Sequence, residues 1–260
     1  MIINDCKDEN AKIRQLGRFS ALFGFTPGFI GVQNDIEAAG NLIDALDATM
    51  GRKGVVLVNV APRNGVRHKW DNGTPFSYFY YGETLVVISV DGLTLSLVKK
   101  LGIVEAVNIF DIPTVVAEMQ KQGEVSEELA YHITHTQFRS LEFVPRVADW
   151  VVRGLNVPSE EWSLDNVGDI GSGMIWYVDN FGNCKTTMLH GEANFEEGEI
   201  IKTAVGDLKF YRRLADVPKD EAAVIMGSSG FEGQRFVELV VQGKSAAERF
   251  DLGVGKQLLV

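Results

Sequence analysis

The sequence predicts an α/β N-terminal domain with a mostly parallel sheet flanked by helices, followed by a small all-β barrel. Val55 to Val60 is an apolar run interrupted only by Asn59, the pattern of a strand covered on both faces. Strand-like runs alternate with helical periodicity from Met1 to Val152. Beyond Ile170 short β-favouring runs are separated by turn residues, which indicates a different kind of domain. The expected division is 1–157 for the α/β domain, 158–170 for a linker and 171–260 for the barrel.

Composition narrows the classes of function. At 260 residues and 45% hydrophobic content the chain can bury a large core. A net charge of -10 without a basic block argues against nucleic acid and against an anionic membrane as partner. No apolar run is long enough to span a bilayer, and Met1 to Asn10 lacks signal-peptide features. Cys6 and Cys184 suggest no disulfide framework. A cytoplasmic protein is expected.

Met1 to Ile3 is β-compatible and runs into the polar cluster Asn4 to Asn10, which opens a helix over Ala11 to Phe23. Asp5 falls at the strand's end, where an open α/β sheet commonly places a ligand. Its carboxylate can accept hydrogen bonds from ribose hydroxyls, with Asp8 or Asn10 reaching a second polar group. Acids there also cap a helix with no ligand present, and both readings stand. Phe29 to Gln33 reads as a second strand. Asn34 and Glu37 then have capping-box spacing for a helix carrying Ile36, Ala39, Ile43, Leu46 and Met50 on one face. After Val60 comes a polar loop with Ala61, Arg63, Arg67 and His68, a second candidate site element at a strand's carboxyl end. Trp70 to Tyr81 is dense in aromatics, which can form a stacking wall for a base or bury an interface or core, with the interface favoured.

Leu85 to Val90 is a further strand, Asp91 and Gly92 turn into the helix Leu93 to Leu101, and Val104 to Ile109 is strand-like. Ile112 to Gln122, Glu127 to His132 and Phe143 to Val152 read as helices, the last closing at Gly154. His132 and His135 lack further ligands at metal-binding spacing, so no metal site is expected. In the last third, Met174 to Val178, Thr186 to Leu189, Ile200 to Val205, Leu208 to Tyr211, Ala222 to Met226 and Phe236 to Val241 read as strands. Gly227, Ser228, Ser229 and Gly230 read as a flexible turn whose amides and hydroxyls can hold a carboxylate, or as a plain hairpin.

The segment Val178 to Thr187 carries chemistry as well as geometry. Asp179 offers a carboxylate for an ammonium group, Phe181 a flat face for stacking, and Asn183 a donor and acceptor for a purine edge. Asp, Asn and Gly are equally the ordinary constituents of a hairpin turn, with Phe181 a core plug.

This order of pieces resembles the S-adenosyl-L-methionine hydroxide adenosyltransferase and fluorinase family. The shared elements are Val178, Asp179, Phe181, Gly182 and Asn183, then Thr187 with Met188. The turn Ser229–Gly230, the run Val237 to Val240 and the segment Gly243 to Arg249 follow in the same order. Over the first two thirds the likeness rests on segment order and on Asp5, Gly65 and Pro145.

The resemblance implies that Asp179 holds the methionine ammonium, Ser229 its carboxylate, Phe181 and Asn183 the adenine, and Asp5 the ribose hydroxyls. It implies a homotrimer with sites at subunit interfaces, S-adenosyl-L-methionine as substrate and no cofactor. The family's water-activating aspartate, arginine and histidine are incomplete here. Ala61 stands at the aspartate's place, Arg67 or His68 near the arginine's and Asn34 near the histidine's. The family's proline, aspartate, asparagine, glycine element is reduced to Val90, Asp91 and Gly92. Arg67, His68 and Asn34 are therefore the catalytic candidates. The expected reaction is displacement of methionine at C5′; the alternatives are a silent binder of S-adenosylmethionine or another adenosine compound, and a structural oligomer.

Overall fold

The computed structural model describes residues 1–61, 74–231 and 233–259. Packing divides the chain into two units, Met1–Gly168 and Asp169–Val260.

The first unit begins with β1 (Ile2–Asn4) and α1 (Glu9–Phe23), whose start is capped by Asp8 accepting from Ala11 N at 3.0 Å. Next come β2 (Phe29–Gly31) and α2 (Asp35–Thr49). Asn34 caps α2 by accepting from Glu37 N at 2.9 Å, while the Glu37 carboxylate reaches back to Gln33 N at 2.7 Å. The capping-box expectation thus holds at Asn34, with the reciprocal bond shifted one residue upstream. β3 (Gly54–Asn59), β4 (Phe76–Tyr81) and β5 (Thr84–Ser89) precede α3 (Ser96–Lys100), β6 (Ala106–Phe110) and α4 (Ile112–Lys121). The helices α5 (Glu127–His135), α6 (Arg139–Glu142) and α7 (Val144–Val152) then lead to β7 (Glu160–Ser163).

These strands form a seven-stranded sheet in the order β2-β1-β3-β5-β4-β6-β7. The expectation of a mostly parallel sheet is corrected. β2, β1, β3 and β5 run parallel, but β4 pairs antiparallel with both β5 and β6, and β6 with β7. The reason is local. β4 and β5 are joined by the tight turn at Gly82, and so short a connection can only return the chain antiparallel. Gly82 has φ 57°, and a Cβ there would lie 2.4 Å from Gly51 O, so only glycine closes this turn. β7 lies in the stretch expected as a linker and pairs Ala106↔Ser163 through Ile109↔Glu160.

Of the aromatic segment expected at an interface, Phe76 and Phe79 are instead buried in this unit, and Tyr78 stacks on Phe110 at 5.2 Å. Phe76 and Tyr78 lie on one face of β4 and Phe79 on the other, so this strand is covered on both faces. Tyr80 remains 46% exposed. Residues 70–73 lie outside the described residues.

The second unit contains β8 (Ile175–Val178), β9 (Cys184–Leu189), α8 (His190–Ala193), β10 (Ile200–Thr203) and β11 (Gly206–Tyr211). It continues with β12 (Ala222–Phe231), β13 (Gln234–Val241) and α9 (Ala246–Phe250). The strands form one six-stranded sheet in the order β10-β11-β12-β13-β9-β8. The expected barrel is corrected to this sheet: among the described residues no ladder joins the edge strands β10 and β8. Each edge instead bonds to the C-terminal segment, Ile175 N to Lys256 O at 2.8 Å and Ala204 N to Leu258 O at 2.9 Å. Exposed edge groups are thereby satisfied without strand-to-strand closure. Ile175, Phe210, Val224, Val237 and Leu239 are fully buried in this unit's core. Among the described residues, no helix is long and apolar enough to cross a membrane.

Candidate functional site

The turn between β8 and β9 is organised by one carboxylate. Asp179 Oδ1 accepts from Phe181 N and Asn183 N, both at 2.9 Å, and Oδ2 accepts from Asn183 Nδ2 at 2.9 Å. Asp179 N donates to Asn183 O and Gly182 N to Asp179 O, each at 3.0 Å. An aspartate that folds its own following backbone is the usual chemistry of such turns. Gly182 has φ 81°, a Cβ there would lie 2.0 Å from Ser245 Oγ, and Gly182 O accepts from Ala247 N at 2.9 Å. The turn is thus seated against the start of α9. With the backbone held in this way, Phe181 is left 70% exposed, which rules out a core plug.

Turn-building and ligand-holding are compatible here. A carboxylate has about four acceptor sites, and three are used within the turn. Asn183 commits one side-chain amide hydrogen to Asp179 and, among the described residues, keeps a second hydrogen and its side-chain oxygen, the pair a purine edge requires.

Ser229 lies beside a lysine that sequence reasoning missed. Lys185 Nζ donates to Ser229 Oγ and sits 5.6 Å and 5.8 Å from the ring centroids of Trp176 and Tyr177. Lys185 is in register with Glu238 on β13, whose carboxylate accepts from Ser228 N at 3.3 Å. The reading of Gly227 to Gly230 as a flexible turn is corrected: these residues belong to β12, with a register shift between Met226 and Gly230. A Cβ on Gly227 would lie 2.2 Å from Glu238 Oε1, so the glycine admits the carboxylate rather than bending a loop. Ser229 is accordingly buried in a bulged strand, 3% exposed. The signal that could have revealed this pair is a charge, Glu238, inside the apolar run Phe236 to Val241. Trp176 is fully buried, and its Nε1 has no hydrogen-bond partner among the described residues.

Cys184, at the foot of the turn, is buried, and burial together with the charges of Asp179 and Glu238 pushes its thiol up from 9.0 to about 12. The folded state therefore keeps the thiol neutral, and the stability this contributes is present below about pH 9 and lost as pH rises towards about 12. At pH 8.5 alkylation of Cys184 by iodoacetamide is expected to be at least about tenfold slower in the folded protein than in urea, as peptide mass mapping would show. Equal rates would place the thiol at the surface.

In the first unit, Asp5 follows β1 at the carboxyl ends of the parallel strands. Its Oδ2 accepts from Ala61 N at 3.1 Å and its Oδ1 from Asn59 Nδ2 at 3.4 Å. Beneath it runs a buried amide network. Asn4 Oδ1 accepts from Cys6 N at 2.9 Å and from Asn59 Nδ2 at 3.2 Å; Asn4 Nδ2 donates to Gln15 Oε1, and Gln15 Nε2 to Cys6 O at 3.1 Å. A cavity of about 10 Å³ beside this network reaches Ser140.

The other predicted residues fall as follows. The side chains of Asp8 and Asn34 are both engaged as helix caps. Arg67 and His68 lie outside the described residues, as does Gly65. Ala61 contributes its backbone N–H to Asp5 where the resemblance led to an acid. Asp91 is buried, with its carboxylate accepting from Gly92 N at 3.0 Å. His132 sits 3.7 Å from Glu142, a carboxylate also gripped by Arg18 and Arg146, and no cluster that could hold a metal occurs among the described residues.

Comparison with known proteins adds to this geometry. Residues 173–259 match the family model described as the SAM hydroxide adenosyltransferase C-terminal domain, which includes the turn, Lys185, Ser229 and Glu238. The family resemblance read from the sequence is thereby shown over that unit. No curated protein matches the chain. Among solved structures, an uncharacterized conserved protein from Thermotoga maritima is similar at 14% identity and TM-score 0.68, covering 100% of this chain and 99% of that one. A conserved hypothetical protein from Thermus thermophilus is similar at 19% identity and TM-score 0.65, covering 99% and 98%. These two likenesses cover both units and are likenesses of fold.

Proposed function

We propose, from the match of residues 173–259 to a SAM hydroxide adenosyltransferase domain, that this protein binds S-adenosyl-L-methionine and displaces methionine from its C5′ carbon. With water as nucleophile, an oxygen–carbon bond forms at C5′, the carbon–sulfur bond breaks, its electron pair returns to sulfur, and a proton is released. The products are adenosine and methionine. The sulfonium is already a good leaving group, so the protein's task is chiefly alignment and desolvation.

The observation that carries this reading is the Asp179 to Asn183 turn, set in the matched domain with an exposed ring and uncommitted amide groups. Asp179 takes the ligand's ammonium, Ser229 its carboxylate, Phe181 and Asn183 the adenine, and Asp5 the ribose hydroxyls. A homotrimer, in which one subunit's second unit meets the next subunit's first, would bring these groups to one ligand. Arg67, His68 and Asn34 are the candidates for handling the water. A positioned base typically adds about a hundredfold to ten-thousandfold.

Incubation of purified protein with S-adenosyl-L-methionine should release methionine and adenosine in equal amounts, and no release above the blank rejects the catalytic half. A second reading, a silent S-adenosylmethionine binder, is favoured by Ala61, which provides only a backbone amide where the family has its acid. It predicts saturable calorimetric binding with the ligand recovered unchanged.

A further inference from the structure

We propose that Asn59 is a positioning residue, whose amide aims the Asp5 carboxylate at the ligand's ribose. The inference rests on the reading of Asp5 as the ribose-holding group and adds to it a residue the family resemblance does not assign.

Asn59 is the single polar interruption of the apolar run Val55 to Val60, and it lies in β3 beside β1, paired Asn4↔Asn59. Its Nδ2 lies 3.2 Å from Asn4 Oδ1 and 3.4 Å from Asp5 Oδ1, and its backbone oxygen accepts from Asp5 N at 3.2 Å. Asp5 is thus fixed at two places by one residue on the neighbouring strand. Its second oxygen is held by Ala61 N, so the carboxylate's orientation is set by strand β3 and the residue two beyond Asn59.

The amide itself cannot turn away cheaply. Asn4 and Gln15, 2% and 3% exposed, complete the network behind it, and a buried amide that loses its partner costs the full desolvation of that group. A lone polar side chain in a covered strand is disfavoured unless it is satisfied in this way. The network therefore accounts for an asparagine at this position, and the group it presents outward is Asp5.

The test is a double-variant cycle read with two ligands. Asn59→Ala is expected to weaken adenosine binding about tenfold, the worth of one hydrogen bond to a charged group. It should leave 2′,3′-dideoxyadenosine unaffected, because that ligand has no diol to meet Asp5. In an Asp5→Ala background the same substitution should add no further loss for adenosine. Asn59→Asp, the same shape with a carboxylate in place of the donor, should weaken adenosine at least as much as Asn59→Ala.

A readout without ligand keeps the proposal open to refutation if a variant is less stable or if adenosine does not bind. Backbone exchange at Ala61, protected by Asp5, should speed up by about tenfold in Asn59→Ala at matched global stability. Unchanged Ala61 exchange, additive losses, or equal losses for the two nucleosides overturn the positioning role. Failure of the parent to bind adenosine overturns the ligand reading instead, while the exchange result still decides whether Asn59 orients Asp5.

Discussion

Replacement of Asp179 by alanine should abolish saturable binding of S-adenosyl-L-methionine, weakening it by about a hundredfold or more. The loss has two sources. The ligand's ammonium loses its counter-charge, and a charge-assisted hydrogen bond is roughly twice as strong as a neutral one. The turn also loses its organiser, because Phe181 N, Asn183 N and Asn183 Nδ2 all donate to this carboxylate. Asp179→Asn separates the two. Its amide oxygen can still accept from the two backbone donors and only the bond from Asn183 Nδ2 is lost, so the variant should melt within a few degrees of the parent while calorimetry shows the ligand affinity lost. Parent-like affinity in Asp179→Asn would mean that the carboxylate serves the turn alone.

The second large effect is on stability. Gly182→Ala must place a Cβ 2.0 Å from Ser245 Oγ at a φ of 81°. Left-handed strain and overpacking together should destabilise the second unit by roughly 2 to 5 kcal/mol. Its melting temperature should fall by roughly 8 to 40 °C. Ser245→Gly in the same chain should recover part of this, since it removes the nearest atoms but not the strained φ or the Ser245 Cα, 2.8 Å away. A Gly182→Ala protein melting within about 1 °C of the parent would show that the turn is not seated against α9 as described.

Much of this architecture is legible in local sequence, because the controlling contacts are local. Asp8 and Asn34 cap the helices that follow them within three residues, and the runs that become β8, β9, β10 and β13 are bounded by their own turn residues. The mixed direction of the first sheet was not legible. It follows from β4, whose residues Phe76 to Tyr81 read as an aromatic cluster rather than as a strand that returns through the Gly82 turn, because aromatic density suits a buried contact as well as a strand. The strand character of Gly227 to Gly230 was hidden for the same reason. Glycine and serine are ordinary turn residues, and only the Glu238 carboxylate on the facing strand shows why a glycine is needed there. Lys185 meets Ser229 across 44 positions of sequence, so that pairing exists only in the fold. Asp179 is a different case. Its residue type and spacing identify the turn, but building a turn and holding an ammonium call for the same carboxylate, and local sequence reads both alike.

The central claim is that this turn holds the amino-acid end of a sulfonium nucleoside while Phe181 and Asn183 meet its adenine. A crystal structure of the full chain soaked with S-adenosyl-L-methionine tests it most directly. The account predicts the ligand's ammonium within about 3 Å of Asp179 Oδ2 and the purine lying on Phe181 with its edge at Asn183. A ligand bound elsewhere, with Asp179 touching only its own turn, would contradict it.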